Sequence, residues 1–192
     1  MISAALTPRC SISGADELGR WSWIKLESDK PIYMVSVYCP CTSSEVGSTF
    51  QQHCRQLPPS TNPRDSFLTD LVKSIKEWHT QGASCIIGGD FNHDIRGRKI
   101  REFLEKAELY NPIELEHGPM PFATQQRNFS GTAINAIFCS RHLRPYQSGY
   151  ASHDQAIHSD HVAVWMDFEW TSLFPPKPTD NPAIDQLNVG DP

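Results

Sequence analysis

The strongest constraint on the fold is an amphipathic helix that is followed at once by a buried strand. Between Asp65 and Trp78, apolar residues recur at helical spacing, and Asp65 or Ser66 is suited to cap the helix. Gly82 ends the connection, and residues 83–89 form a short apolar run typical of a buried strand. A helix that leads directly into such a strand predicts an α/β layer.

Other elements are predicted around this unit. Residues 21–26 and 32–38 are rich in β-formers, and the turn at 29–31 between them predicts a hairpin. The remaining predictions are a polar loop between Pro40 and Pro63, a helix over 99–108, a loop over 111–130, and strands over 133–139 and 162–168.

The chain has 192 residues, which predicts a single domain with a sizeable core. We expect an irregular segment over 1–20, the folded domain over 21–170, and a proline-rich tail or linker over 171–192. The net charge of -5 gives no general basic surface. Binding to nucleic acid would therefore need a local basic patch, or a metal that offsets phosphate charge.

The six cysteines have no zinc-binding spacing and are expected to be reduced thiols, three of them within or beside predicted strands. No apolar run is long enough to span a bilayer, and the N-terminus lacks the pattern of a signal peptide. These features favour an intracellular protein, cytoplasmic or nuclear, without a membrane partner.

Gly88-Gly89-Asp90-Phe91-Asn92 closes the buried strand at 83–89. Two glycines let the backbone turn tightly, so Asp90 emerges at a strand end with Asn92 two residues further on. A carboxylate there can bind a metal or hold a water, and the amide can hold a phosphate oxygen. Aspartate and asparagine are also common turn residues, and on this motif alone the two interpretations are equal.

Ser159-Asp160-His161 stands directly before the last predicted strand. His161 in this position is suited to act as a general base or to stabilise a developing phosphate charge, and Asp160 is suited to bind a hard cation. The alternative is a solvated loop, which this motif alone favours slightly. The joint occurrence of both motifs at strand ends favours a functional site for phosphodiester hydrolysis.

These blocks resemble the signature blocks of the endonuclease/exonuclease/phosphatase superfamily. The resemblance is carried by Val37-Tyr38-Cys39-Pro40, residues 88–92, the strand over 133–140 and residues 159–161, and it spans about 21–168. Within the superfamily, the region from Gly131 to Phe138 is most similar to the endonuclease domains of non-LTR retrotransposons.

The resemblance implies a two-sheet α/β sandwich flanked by helices, with a Mg²⁺ site (Mn²⁺ being the alternative) and in-line attack of water on a phosphodiester. By position, Asp90 would orient or deprotonate the water, and Asp90 and Asp160 would serve the metal. Asn92 would hold the water and the phosphate, and Tyr38 would contact the phosphate. His161 would stabilise the transition state or act as the base.

Two departures from the family pattern bear on activity. The family begins with a strand that bears an asparagine and a strand that ends in a metal-binding glutamate, and neither is found before Trp21. The sandwich is therefore expected to be incomplete at the N-terminus. Asn135 stands where the family has an aspartate beside the catalytic histidine. An amide can still bond to His161 but cannot stabilise an imidazolium by charge.

A basic cluster that includes Arg96, Arg98 and Lys99 follows the Asp90 motif. It is predicted to contact a nucleic-acid backbone, and the alternative is the solvated start of a helix.

Three hypotheses for function follow from these residues. The first is a Mg²⁺-dependent endonuclease that nicks DNA, as in retrotransposons, with fusion to a reverse transcriptase in a longer parent protein. The second is a truncated or degenerate remnant without catalysis. The third is a family member that acts on another phosphoester, because substrate choice in such folds lies in the loops.

Overall fold

A computed structural model describes residues 4–118, 125–127, 130–151 and 161–176. The described strands are β1 (Cys10–Ala15), β2 (Trp21–Leu26), β3 (Ile32–Tyr38), β4 (Ser84–Asp90), β5 (Leu109–Tyr110), β6 (Gln125–Arg127), β7 (Ser130–Thr132), β8 (Asn135–Ser140), β9 (Gln147–Tyr150) and β10 (Val164–Asp167). The described helices are α1 (Thr49–Gln56), α2 (Pro63–Thr80), α3 (Arg98–Lys106), α4 (Pro112–His117) and α5 (Trp170–Leu173), with a short 3₁₀ helix at Thr7–Arg9.

Six strands form the central sheet in the order β1-β2-β3-β4-β8-β5. The predicted hairpin of β2 and β3 is confirmed, with Trp21 opposite Val37 and Leu26 opposite Ile32. Strands β3 and β4 run parallel, whereas the other neighbours in this sheet run antiparallel. A parallel pair needs a crossover connection, and here the chain crosses through α1 and α2.

The predicted helix before β4 is confirmed as α2, and it begins at Pro63. Its N-cap is Asn62, whose side chain accepts hydrogen bonds from the backbone N–H groups of Arg64 and Asp65. Proline at the first helical position fits this start, because its missing N–H would have no partner within the helix. The apolar side of α2 is buried against the sheet through Phe67, Leu71, Ile75 and Trp78.

The sheet is covered differently on its two faces. Helices α2 and α3 bury the larger core on one face, where Phe91, Phe103 and Phe138 are in ring contact. On the other face, Met166 of β10 and the buried Phe174 after α5 pack on a smaller apolar cluster. Strand β10 pairs with β9 in a separate two-stranded sheet. The predicted class, an α/β fold with two sheets and flanking helices, is confirmed.

Part of this second face is open. A cavity of about 740 Å³ lies over β2, β3, β4 and β8, and its lining includes Ser22, Met34, Ser36, Ile86, Gly88 and Ile137. Within the described ranges, no helix combines the length and the apolar character that crossing a membrane requires.

The prediction of an irregular segment over 1–20 is wrong for β1. This strand is an edge strand with mostly exposed, small or polar residues, so it lacks the apolar alternation that indicates a strand. Its antiparallel pairing with β2 supplies the stability that its own sequence does not.

Two predicted loops contain helices. In the polar loop before Pro63, α1 is capped by Ser48 and buries only His53, so it shows little apolar periodicity. In the loop predicted over 111–130, α4 is capped by Asn111, and Pro112 occupies its first turn. Proline indicates a loop in most sequence contexts but is compatible with the first position of a helix.

The predicted tail over 171–192 also begins too early. Phe174 is 3% exposed and belongs to the smaller apolar cluster, so the folded part extends at least to this residue. Residues 177–192 lie outside the described part of the chain.

Candidate active site

Three of the predicted site residues lie side by side at the end of the central sheet. The parallel pairing of β3 and β4 places Tyr38 opposite Asp90, and the antiparallel pairing of β4 and β8 places Asp90 opposite Asn135. Neighbouring strands are about 4.8 Å apart, so these residues form one continuous row. The register of three strands therefore brings together a phenol, a carboxylate and an amide.

The end of β4 requires glycine at position 89. Gly89 has φ of 149°, and a Cβ atom there would lie 2.0 Å from the carbonyl oxygen of Val37 on the neighbouring strand. No side chain fits at that distance. The glycine therefore lets β4 stay paired with β3 up to Asp90.

Asn92 holds the Asp90 carboxylate in place. The Asn92 backbone N–H donates to Oδ1 of Asp90 at 2.8 Å, and Nδ2 of Asn92 lies 3.1 Å from Oδ2. The same Nδ2 also donates to the carbonyl oxygen of Cys39 at 2.6 Å. Both carboxylate oxygens thus accept a hydrogen bond from one residue, in the manner of an Asx-turn.

The environment of Asp90 adjusts its proton affinity. Burial raises the pKa of the Asp90 carboxyl above its usual value, and the Asn92 N–H, His161 and Arg64 oppose that rise. A carboxylate with a raised pKa accepts a proton more readily, which suits a general base. Burial likewise raises the pKa of the Tyr38 hydroxyl, with Cys41 and Asp90 contributing, so this phenol stays protonated and able to donate at neutral pH.

Asn135 contacts His161 directly. Nδ1 of His161 lies 3.3 Å from Oδ1 and 3.2 Å from Nδ2 of Asn135, and this Nδ2 lies 3.4 Å from the carbonyl oxygen of Val162. The carbonyl contact fixes Nδ2 as the amide nitrogen, and its two hydrogens allow it to donate to Val162 and to an unprotonated Nδ1, while Oδ1 can accept from a protonated Nδ1. In the tautomer with Nδ1–H, Nε2 is the nitrogen that can take up a proton.

Arg64 also belongs to the site, and the sequence analysis did not find it. Its Nη2 donates to the backbone carbonyl of Asn92, and its Nη1 donates to Oγ1 of Thr42 at 3.2 Å. Sγ of Cys41 donates to Oδ1 of Asn92 at 2.8 Å. The contact between Arg64 and Asn92 spans 28 residues, and no local pattern around Arg64 indicates it. The one sequence signal is the Asn62-Pro63 helix start, which fixes where this arginine lies.

Two of the three basic side chains predicted to contact nucleic acid form ion pairs within the protein. Nε of Arg96 lies 2.7 Å from Oδ1 of Asp94, and Nζ of Lys99 lies 2.5 Å from Oδ1 of Asp65. The side chain of Arg98 is 89% exposed, with Nε 3.6 Å from the Glu102 carboxylate. Of the three, Arg98 is the most accessible to a phosphate backbone.

The donor set at the site fits a hard cation, although weakly. Asp160 lies outside the described residues. Within the described part, no group of three or more histidine, cysteine or acidic residues is arranged to hold a metal. Asp90 supplies one carboxylate, opposite Asn135 on the neighbouring strand, and Mg²⁺ is commonly held by one or two carboxylates together with substrate phosphates. The site therefore suits Mg²⁺ better than a metal that needs nitrogen or sulfur ligands.

The sequence matches no protein-family model and no curated protein. Solved structures share the fold. A variant of the 3' phosphatase NExo from Neisseria, bound to a product DNA hairpin, has a TM-score of 0.57 at 15% identity, covering 81% of this chain and 66% of its own. The APE2 catalytic domain from Xenopus laevis has a TM-score of 0.56 at 19% identity, covering 78% of this chain and 55% of its own. The human Nocturnin catalytic domain, with a bound sulfate anion, has a TM-score of 0.51 at 16% identity, covering 76% of this chain and 53% of its own.

These likenesses show that the chain has the endonuclease/exonuclease/phosphatase fold. The chain spans less than two thirds of the length of each of the three structures. At these identities the comparison supports the fold and leaves the activity to be argued from the site.

Proposed function

We propose that this chain is a metal-dependent phosphodiester hydrolase of endonuclease type that nicks DNA. The observation that carries the proposal is the row of Tyr38, Asp90 and Asn135 across three strands, with His161 bonded to Asn135. This row offers a phosphate donor, a general base and an imidazole at one end of the sheet. The neighbours bound to a DNA hairpin and to sulfate are consistent with an anionic substrate.

Each residue has a role that follows from its contacts. Asp90, oriented by the Asn92 amide groups, accepts the proton of the attacking water as oxygen adds to phosphorus. Tyr38 donates to a phosphate oxygen. In this proposal His161 has the tautomer in which Nδ1–H donates to Oδ1 of Asn135, so that Nε2 faces the substrate. Once protonated, the imidazole offsets the negative charge that grows as the bond to the leaving oxygen breaks.

A divalent cation, Mg²⁺ with Mn²⁺ as the alternative, would be held by Asp90 and Asp160 and would supply Lewis-acid stabilisation of the phosphate charge. Asn92 is committed to Asp90, Cys39 and Cys41 through its side chain. Its main role in this proposal is therefore to orient the base, and contact with the water and phosphate is a second role.

The finer features of the proposal come from the sequence resemblance. We propose that the activity is of the retrotransposon endonuclease type, with a reverse transcriptase in a longer parent protein. Arg98, with Arg96 and Lys99, would contact the DNA backbone.

A second candidate function is a non-catalytic remnant that keeps only the fold. Two observations favour it: Asn135 is an amide where a carboxylate would stabilise the imidazolium, and Asp90 is the single carboxylate of the site within the described residues. The open, largely apolar cavity over β2, β3, β4 and β8 is also consistent with the remnant, because an exposed apolar face is normally covered by another element.

A panel of phosphoesters separates these candidates. The purified chain is incubated with a 5'-labelled DNA duplex, a 3'-phosphorylated oligonucleotide, a single-stranded RNA and bis-p-nitrophenyl phosphate, each with Mg²⁺ and with EDTA. An endonuclease cuts the duplex internally and only with metal. Metal-dependent release of inorganic phosphate alone would instead indicate a phosphatase, and a folded chain without turnover of any substrate would favour the remnant.

Asn135→Asp is expected to raise the rate of hydrolysis by at least about tenfold. A carboxylate beside Nδ1 stabilises the imidazolium of His161, and the reverse change beside the histidine of a serine protease costs about 10⁴ in rate. The measurement is the initial rate on the labelled duplex at neutral pH. Asn111→Asp is the matched control, because it makes the same change at the remote cap of α4 and keeps a capping oxygen there. An unchanged or lower rate for Asn135→Asp would remove Asn135 from the role assigned to it.

A further inference from the structure

We propose that Arg64 is the positioning residue of this site, fixing the turn at Asn92 and through it the direction of the Asp90 carboxylate. For its catalytic consequence this inference rests on the proposed function, whereas its structural part does not.

Arg64 reaches the site from a rigid element. It is the second residue of α2, and its backbone N–H donates to Oδ1 of the Asn62 cap at 2.9 Å. From this point its two Nη groups diverge: one donates to Asn92 O in the turn after β4, and the other to Oγ1 of Thr42 in the loop after β3. A single guanidinium thus ties together the two segments that follow neighbouring strands. A lysine has one nitrogen and cannot reproduce this fork.

The backbone conformation at Asn92 depends on hydrogen bonds of this kind. Asn92 has φ of 46°, a left-handed conformation that is uncommon outside glycine and persists where several contacts hold it. Its carbonyl is held by Arg64, its Oδ1 by Cys41, and its N–H and Nδ2 by Asp90. Rotation of this residue out of the left-handed region would break both of its bonds to the Asp90 carboxylate together.

The Arg64 guanidinium is engaged with the protein at both of its ends. Both Nη groups are engaged with protein oxygens, and Nε is buried and has no hydrogen-bond partner within the described residues. Among the described residues, no carboxylate lies within ion-pair distance of Arg64. A buried donor without a partner lowers stability, so removing Nε of Arg64 costs the fold little. We therefore expect the loss of Arg64 to disturb the turn at Asn92 more than the fold.

The first test measures the turn without reference to activity. Backbone amide exchange at Asn92 is followed by NMR in the parent chain, in Arg64→Lys and in Arg55→Lys, the last being a control at an exposed position on α1. We expect Arg64→Lys to raise the exchange rate of the Asn92 amide at least about tenfold, with the amides of Leu71 and Ile75 in α2 unchanged. Parent-like exchange at Asn92 in Arg64→Lys would overturn the inference.

The second test measures turnover. Arg64→Lys is expected to lower kcat about 10- to 100-fold, since a small misplacement of a reacting group has effects of this size. KM is expected to stay within about twofold, because Tyr38 and the basic residues that would meet the substrate are untouched. Added guanidinium should restore turnover to Arg64→Ala and leave Asp90→Asn inactive. A purely structural role would instead lower the fraction of folded protein and leave the kcat of the folded part unchanged.

The two tests separate this inference from the proposed function. A parent chain without hydrolysis contradicts the proposed function, and the amide exchange still decides the role of Arg64. An active parent with unchanged kcat and exchange in Arg64→Lys contradicts only the role of Arg64. If Arg64→Lys fails to fold, Thr42→Val replaces it in the test. This change at an exposed residue removes one of the two oxygens that accept from the guanidinium, and we again expect faster exchange of the Asn92 amide.

Discussion

Asp90→Asn is expected to lower the rate of phosphodiester hydrolysis by about 10²- to 10⁴-fold, the range that a general base contributes. The substitution keeps the shape of the side chain and the oxygen that accepts from the Asn92 N–H. It removes the proton acceptor and one metal-binding oxygen. It also places the new amide nitrogen close to Nδ2 of Asn92, so two donors face each other and the hydrogen bond between them is lost. The measurement is the initial rate on the labelled duplex with Mg²⁺, alongside the unfolding midpoint of each variant.

Asp29→Asn is the matched control for this prediction. Asp29 is exposed in the turn before β3, at the opposite end of the sheet from Tyr38, and asparagine suits a turn equally well. We expect Asp29→Asn to retain the parent rate. A folded Asp90→Asn variant that hydrolyses the duplex as fast as the parent would show that the reaction takes place elsewhere on the protein.

Gly89→Ala is expected to prevent stable folding, with a loss of more than about 4 kcal/mol in the free energy of unfolding. The added Cβ would lie 2.0 Å from the carbonyl oxygen of Val37, and φ of 149° is itself unfavourable for alanine. Because β3 and β4 are central strands, the clash cannot be relieved at an edge. The measurement is urea unfolding followed by circular dichroism.

Gly82→Ala separates the clash from the backbone conformation. Gly82 also has positive φ, 75°, but a Cβ there would meet nothing within 4 Å. Its substitution is expected to cost only about 1–2 kcal/mol, the strain of a left-handed residue. Equal losses for the two alanine variants would mean that the close approach of β3 and β4 is not what requires glycine at position 89.

Elements with a strong local pattern could be predicted from the sequence. The helix α2 and the strands β2, β3 and β4 each show an apolar pattern that matches their own periodicity, and each is present in the structure. Strand β1 and helices α1 and α4 show no such pattern, because their stability comes from an edge pairing or from caps and few buried residues. Tertiary context decides such elements.

The candidate site was predictable in its residue types but not in its supporting contacts. Asp90 could be named from its strand end and Asn135 from the family resemblance, yet their alignment with Tyr38 depends on a register that no single strand encodes. Arg64 could not be named, because its contact with Asn92 arises only when α2 packs beside the turn after β4. Sequence motifs therefore name the candidate reactive groups, and the fold shows which residues hold them.

Nicking of supercoiled plasmid by the purified chain tests the central claim most directly. The parent and His161→Ala are compared with Mg²⁺ and with EDTA, after circular dichroism has shown that both are folded. We predict open-circular product from the parent with Mg²⁺, none with EDTA, and a rate reduced by at least about 10²-fold in His161→Ala, since this variant loses the imidazole that Asn135 holds. Equal nicking by both proteins, or no nicking by a folded parent, would contradict the assignment of Tyr38, Asp90, Asn135 and His161 as a working hydrolytic site.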